Sequence, residues 1–378
     1  MLLLSRKNLF SERTRLLISV GGIALSVFLI SVLLSLYRGW SEKVGGFVEE
    51  SDVDVWIGTI GTIDFLGAAS FIPLDDTSAI ESVGAIDEWS PIVVRPMQGI
   101  AIEMDGGERG DEHKVDIHLI GYDPATNMSG PLKVIEGKEV PGVGEVIIDK
   151  AIKTRYGVGV GDQLDAGGVE WQIVGVSEGG DFVASQTVFV NLSEAQAALQ
   201  MDNAATFLGL RLYRGFAPEL VADEAEEKQP GVVAFTGDEF AEATRDRILD
   251  NILPILTMVL GLAFIVGLAV SGLTIYTSTI EKAREYGILK AVGFKNRYLY
   301  RLIFEQSLLT AAIGFVIGIG ATFVFGPLAE RLVPQFVTLI RWQDIAFVFG
   351  VTVVMALLAG YIPVRRLAAI DPTSVFKA

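Results

Sequence analysis

Polar and apolar residues are spread unevenly along the 378-residue chain. Four stretches lack Asp, Glu, Lys and Arg for the roughly 20 residues that a helix needs to cross about 30 Å of hydrocarbon. They are Leu16 to Tyr37, Asn251 to Ile280, Ser307 to Ala329 and Ile345 to Val364. Core helices of soluble proteins rarely stay charge-free for so long, so the pattern predicts four membrane spans. The first is too long for a secretory h-region of about 7–15 residues, and "YRGWSEK" after it offers no small-x-small cleavage site. It is expected to remain as an anchor.

Between the first two spans the periods shorten. "DVDVWIG" alternates as a strand does, and "TSAIESVGAIDEWSPIVV" reads as a short helix followed by a strand from near Pro91. "TFLGLRLYRGFAPELVADEAEEKQPGVVAFTGDEF" gives a strand, a helix over about Pro218 to Lys228, and a strand. The two ends of this region therefore make an α/β layer. From about Ala101 to Ala198, the candidates "KVDIHLIGYD", "GEVIID", "VEWQIVGV" and "QTVFVN" lie between turn clusters and predict a β-rich insertion. "YRGWSEKVGGFVEE" extends the first span helically, with a break expected at Gly45 and Gly46. "DEFAEATRDRILD" is helical and leads straight into the second span.

The fold class is thus an α-helical membrane protein with four transmembrane helices plus a large α/β extracytoplasmic domain carrying a β-rich inserted subdomain. The expected parts are a cytoplasmic amphipathic segment over 1–15, spans over 16–37, 251–280, 302–329 and 345–364, and an outer domain over 38–250. In that domain the α/β part covers about 38–100 and 199–250, and the insertion about 101–198. A coupling segment over 281–301, an outer loop over 330–344 and a tail over 365–378 complete the chain. Leu2, Leu3, Leu9 and Phe10 among cations suit a helix lying on the inner membrane surface; a plain extension of the first span fits as well.

Charge sets the orientation. Lys and Arg gather before the first span, between the second and third (Lys282, Arg284, Lys290, Lys295, Arg297, Arg301) and in the tail (Arg365, Arg366, Lys377). These segments share one side if each span crosses once, and the positive-inside rule makes that side the cytoplasm. Residues 38–250 then lie outside, with 39 acidic and 15 basic residues, while the whole chain carries a net charge of −16. So acidic a domain excludes nucleic acid as a partner. The chain has no Cys, which excludes disulfides and thiolate metal sites.

Few residues carry chemistry. "YGVGVGDQL" lacks the strand-before, helix-after setting of a nucleotide loop and reads as a turn joining two strands. His113 and His118, five apart, are the only histidines; a metal site would need further ligands, and no partnered nucleophile is evident. The chain is expected to be a non-catalytic subunit. Small residues at four-residue spacing, Ala263, Gly267 and Ser271 on the second span and Gly314 and Gly318 on the third, mark faces for helix packing or dimerisation. Hydroxyls such as Ser271, Thr274 and Ser278 are expected to bond back to their own helix. The four charge-free stretches hold no Asp, Glu, Lys, Arg or His, which argues against proton- or ion-coupled transport.

The segment "EKAREYGILKAVGFKNRYLY" differs from an ordinary loop. On a helix, Ile288, Leu289 and Val292 form an apolar stripe ringed by Arg284, Lys290 and Lys295, with Gly287 and Gly293 allowing close approach. By its residues alone it fits either the lipid surface or a protein groove. The stretch also resembles the signature of the FtsX-like permease family, through Glu281, Lys282, Arg284, Glu285, Gly287, Leu289, Lys290, Ala291 and Gly293, with Glu305 at the start of the third span. The ending "PVRRLAAIDPTSVFKA", with Arg365, Arg366, Asp371 and Pro372, is similar to the family's ending. "VGVGDQLDAGGVEWQIVGV" resembles the β-hairpin region of MacB-type outer domains, and "DVDVWIG" is similar to the DevC-like or HrtB-like branch.

The resemblance implies a type VII, mechanotransmission ABC permease: a homodimer bound to two copies of an ATPase subunit, in a bacterial or archaeal cytoplasmic membrane. ATP and Mg would be used by that ATPase, with no cofactor on this chain. Glu281, Arg284, Glu285, Gly287, Ile288, Leu289, Lys290, Val292 and Gly293 would form its docking helix; a membrane-fusion protein is a further candidate partner, and whether a third component completes the pump stays open. Two roles stand open: export or extraction of an amphipathic substrate, and a signalling scaffold that regulates an extracellular protein without moving a substrate.

Overall fold

The structure, a computed structural model, describes residues 13–67, 70–292, 294–333 and 336–368. The N-terminal segment with Leu2, Leu3, Leu9 and Phe10, the C-terminal Asp371 and Pro372, and Gly293 lie outside the described residues. The chain divides into two compact units, one spanning Trp40–Asn251 and one formed by the remainder.

In the first unit the sheet is built on one long strand. In chain order the strands are β1 (Val55–Thr59), β2 (Ile72–Pro73), β3 (Ile86–Asp105), β4 (Glu108–Tyr122), β5 (Lys133–Gly137), β6 (Glu145–Asp149), β7 (Gln163–Ala166), β8 (Val169–Glu178), β9 (Gln186–Asn191), β10 (Ala204–Ala205), β11 (Phe207–Leu212) and β12 (Val232–Thr236). β3 pairs with β11 over Ile86–Ile92, then passes to β4 and β7 from Val93 onward. From β3 the pairing runs through β4, β9, β6, β8 and β7 and back to β3, a closed six-stranded barrel. Closure gives each of these six strands a partner on both sides, while β5 and β12 each pair with one neighbour only.

The sequence expectation is corrected in three places. β3 begins at Ile86 rather than near Pro91, and it runs unbroken through the expected insertion boundary at 100–101, because one partner strand takes over where the other leaves. "YGVGVGDQL" joins a helix, α3 (Lys150–Tyr156, after the short α2 at Ser78–Glu81), to a strand rather than two strands; Gly157 at φ 80° caps that helix. Gly167 and Gly168, at φ 64° and 79°, form the two-residue turn of the β7–β8 hairpin, where both positions need positive φ.

The third correction concerns the first helix. α1 (Arg13–Glu50) continues through Gly45 and Gly46. Arg245 lies across Gly45, bonding Ser41 O at 3.2 Å and Glu49 at 2.5 Å. A side chain at 45 would displace that guanidinium, so here glycine serves helix packing instead of a helix break. Arg245 belongs to α6 (Gly237–Glu281), which follows α4 (Leu192–Leu199) and α5 (Pro218–Lys228). Val44, Phe47 and Val48 of α1 and Phe240 and Ala241 of α6 enter a core with Trp56, Phe65, Phe182 and Phe207. Separate cores fill the barrel around Trp171 and Leu164 and pack α5 on β1 and β11.

The second unit contains α1 and α6 in part, α7 (Ala283–Ala291), α8 (Asn296–Leu332) and α9 (Trp342–Ala368). Among the described residues four helices are long and apolar enough to cross a membrane: Thr14–Glu50, Ile252–Glu281, Asn296–Leu332 and Trp342–Tyr361. Ile23, Val27 and Ile30 of α1 occupy the bundle core with Ala263, Ala311, Val348 and Met355.

Candidate functional site

The polar segment after α6 is built as a short helix with two unlike faces. Lys282 N still bonds Ser278 O at 3.2 Å and Tyr286 N bonds Lys282 O at 3.0 Å, so the chain stays helical into α7. Glu285 in its first turn and Lys290 in its last suit the helix dipole. Phe294 N returns to Leu289 O, and the Phe294 ring packs tilted against Tyr298 at the start of α8, 4.8 Å between centroids.

The inner face of α7 carries Tyr286, which is buried with Ile275, Leu299, Leu302, Ile303 and Ala359. Leu289 packs on the same cluster, and Gly287 is buried. The outer face carries Arg284, Glu285, Ile288 and Val292, residues at i, i+1, i+4 and i+8 that share one side of a helix. Ile288 is 47% exposed and Val292 73%. The stripe expected from the sequence is therefore divided, with Ile288 and Val292 outward and Leu289 inward. Lys290 is half-buried. Glu281, at the last residue of α6, pairs with Arg15 near the start of α1. Arg301 and Glu305, one turn apart on α8, meet at 2.8 Å.

Sequence reasoning missed Tyr286. Its signal was present: it stands three residues before Leu289 and so shares that residue's face rather than the face of Ile288. The Arg15–Glu281 pair joins residues 266 apart, and nothing local announces it.

The small-residue positions sit inside the chain's own bundle. A Cβ on Gly267 would meet Ser26 Oγ at 2.4 Å and Met355 Sδ at 2.6 Å. On Gly314 it would meet Ile23 at 2.7 Å, and on Gly318 Ala24 O and Val27 at 2.7 Å. Ala263 and Ser271 are also buried. α1 is thus the helix against which these small faces close. Thr274 bonds back to Val270 O at 2.7 Å, whereas Ser271 Oγ is buried with no hydrogen-bond partner among the described residues.

His113 and His118 lie on β4 an odd number of residues apart and so face opposite sides of the strand. His113 packs tilted against Tyr156, 5.5 Å between centroids. His118 is buried: Ser185 Oγ lies 2.9 Å from Nδ1 and Leu66 O lies 3.4 Å from Nε2. Burial lowers its pKa to about 4, against the Leu66 carbonyl and Asp64. It is then the neutral tautomer, donating from Nε2 and accepting the Ser185 hydroxyl at Nδ1. Among the described residues no cluster of His, Asp or Glu is arranged to hold a metal.

The MacB-like periplasmic core domain model matches residues 16–228, and the FtsX-like permease C-terminal model matches residues 257–372. The chain belongs to the family of ABC transporter permeases of the MacB/FtsX type, and it is a membrane protein. It is similar to an uncharacterized ABC transporter permease of Mycobacterium tuberculosis, 22% identical over 379 residues, covering all of this chain and 99% of the relative. A macrolide export ATP-binding/permease protein, MacB 2, of Aeromonas hydrophila is 25% identical over 224 residues, covering 56% of this chain and 34% of the relative. The periplasmic region of MacB from Actinobacillus actinomycetemcomitans aligns with 50% of this chain and 93% of its own length at 10% identity and a TM-score of 0.37.

Proposed function

We propose that this chain is the membrane subunit of an ABC transporter whose ATPase is a separate polypeptide docked on the outer face of α7. The observation that carries the reading is that face: Ile288 and Val292 stand exposed between Arg284 and Glu285 while Tyr286 anchors the helix from behind. An apolar pair rimmed by charges, on a helix held rigidly from its other side, has the composition of a protein interface centre with its polar rim.

In this reading ATP and Mg bind the ATPase, two copies of which serve a homodimer of this chain. α7 and both termini lie in the cytoplasm, and the α/β unit lies outside the cytoplasmic membrane. Closure of the ATPase pair moves α7, and the movement passes along α1 and α6, the two helices with residues in both units, to drive export or extraction of an amphipathic substrate. No step of chemistry is assigned to this chain.

The absence of native cysteine makes the test clean. A single cysteine at 292 is expected to cross-link to an ABC-type ATPase when the pair is co-expressed, and a single cysteine at 286 is not. Equal cross-linking from both positions, or from neither, would remove the docking face.

A further inference from the structure

The turn between β8 and β9 is held in a conformation that its residues disfavour. Val183 has φ 71°, in the left-handed region that a β-branched residue rarely enters. Ala184 N bonds Phe182 O at 2.8 Å, so Val183 sits at the centre of a γ-turn of the strained, positive-φ kind. Such a conformation persists only where the surroundings over-determine it.

Those surroundings are specific. Asp181 Oδ1 accepts from Val183 N at 3.0 Å and from Gln186 Nε2 at 3.3 Å, and its Oδ2 meets Lys43 Nζ of α1 at 2.5 Å. Phe182 is buried against Phe47 of α1, 5.7 Å between centroids, and against Phe65 and His118. Gly180 N donates to the buried Asp149 at the N-terminus of α3 at 2.9 Å, and Ser185 donates to His118 on β4. One seven-residue turn therefore joins the end of α1, through Lys43 and Phe47, to three elements of the barrel side.

We infer that Gly179–Ser185 is a strained clasp that Lys43 holds shut, so that withdrawing Lys43 lets the Val183 turn relax and frees Phe182 from α1. Asp181 lies almost wholly enclosed, its side chain 10% exposed, and Lys43 is the cation that meets its carboxylate there. Removing that cation leaves an enclosed carboxylate with only the Val183 amide and Gln186 Nε2 to offset its burial, and the backbone strain then favours opening. The clasp would make the barrel sensitive to the position of α1. Its use as a relay rests on the function proposed above; the clasp itself does not.

Amide hydrogen exchange on the full chain in lipid nanodiscs, without nucleotide or ATPase, tests it. Lys43→Met is expected to speed exchange at Val183 and Ala184 at least tenfold while leaving Val188 and Val190 of β9 unchanged; Lys43→Arg retains protection. Asp181→Asn is expected to act similarly, and the double variant to exchange no faster than the faster single variant, since both break one contact. Rates within twofold of the wild type in Lys43→Met, or in Asp181→Asn where the lysine variant does not fold, would overturn the clasp. Multiplying effects in the double variant would also overturn it. Either failure leaves ATPase docking untouched, because no partner is present in the measurement.

Discussion

Arg38 of α1 and Asp344 of α9 meet at 3.2 Å, with the Asp344 side chain 10% exposed and the Arg38 side chain 39%. The asymmetry decides which loss matters more. Without Arg38, Asp344 is left as an enclosed charge; without Asp344, Arg38 still reaches solvent. Arg38→Met is therefore expected to destabilise the full chain by about 2–3 kcal/mol and Asp344→Asn by about 1 kcal/mol. Unfolding titrations in mixed micelles check the order, and equal or inverted losses would count against the pair.

The small residues of α8 lead to a second expectation. Gly318→Val would drive new atoms into Ala24 O and Val27, whereas a Cβ on Gly320, two residues on, meets nothing within 4 Å. Overpacking costs typically about 1–3 kcal/mol, while Gly→Ala at an open helix position gains up to about 1 kcal/mol. Thermal unfolding is expected to show Gly318→Val clearly below the wild type and Gly320→Ala at or above it.

Much of this bundle was legible in the sequence because charge-free length and four-residue spacing are local signals. The four strand candidates "KVDIHLIGYD", "GEVIID", "VEWQIVGV" and "QTVFVN" became β4, β6, β8 and β9 for the same reason. Barrel closure was not legible, since it depends on β7 pairing with both β3 and β8, a property of register rather than of composition. Nor was the continuity of α1 past Gly45: a glycine pair reads as a break until Arg245, 200 residues away, is seen lying across it. At the candidate site, sequence located α7 but merged its two faces. Only the packing of Tyr286 and Leu289 on Ile275 and Leu299 separates the buried side from Ile288 and Val292.

Two buried groups of the α/β unit titrate in opposition. Burial raises the Asp149 carboxyl to about 6 from its ordinary 3.8, against the amides of Ala151 and Gly180, and lowers His118 to about 4 from 6.5. Between pH 3.8 and 6 the folded state holds more of the Asp149 proton than the unfolded state does, so acidification through this window stabilises. Between pH 4 and 6.5 the unfolded state holds more of the His118 proton, so acidification destabilises. Near pH 5 the two largely offset each other. Asp149→Asn is expected to lose stability more steeply than the wild type from pH 6 to 4, and His118→Gln to gain over the same range. Denaturant midpoints at pH 7, 6, 5 and 4.5 check this; parallel profiles for the three proteins would contradict it.

Docking of an ATPase on the outer face of α7, as proposed, can be read from co-purification through a tag on this chain. With the ATPase co-expressed, Ile288→Asp combined with Val292→Asp is expected to lose at least nine-tenths of the captured ATPase while the permease is recovered, folded, in normal yield. Glu227→Gln, at an exposed position of α5, is expected to capture the wild-type amount. Undiminished capture by the Ile288/Val292 variant would mean that the ATPase does not bind this face.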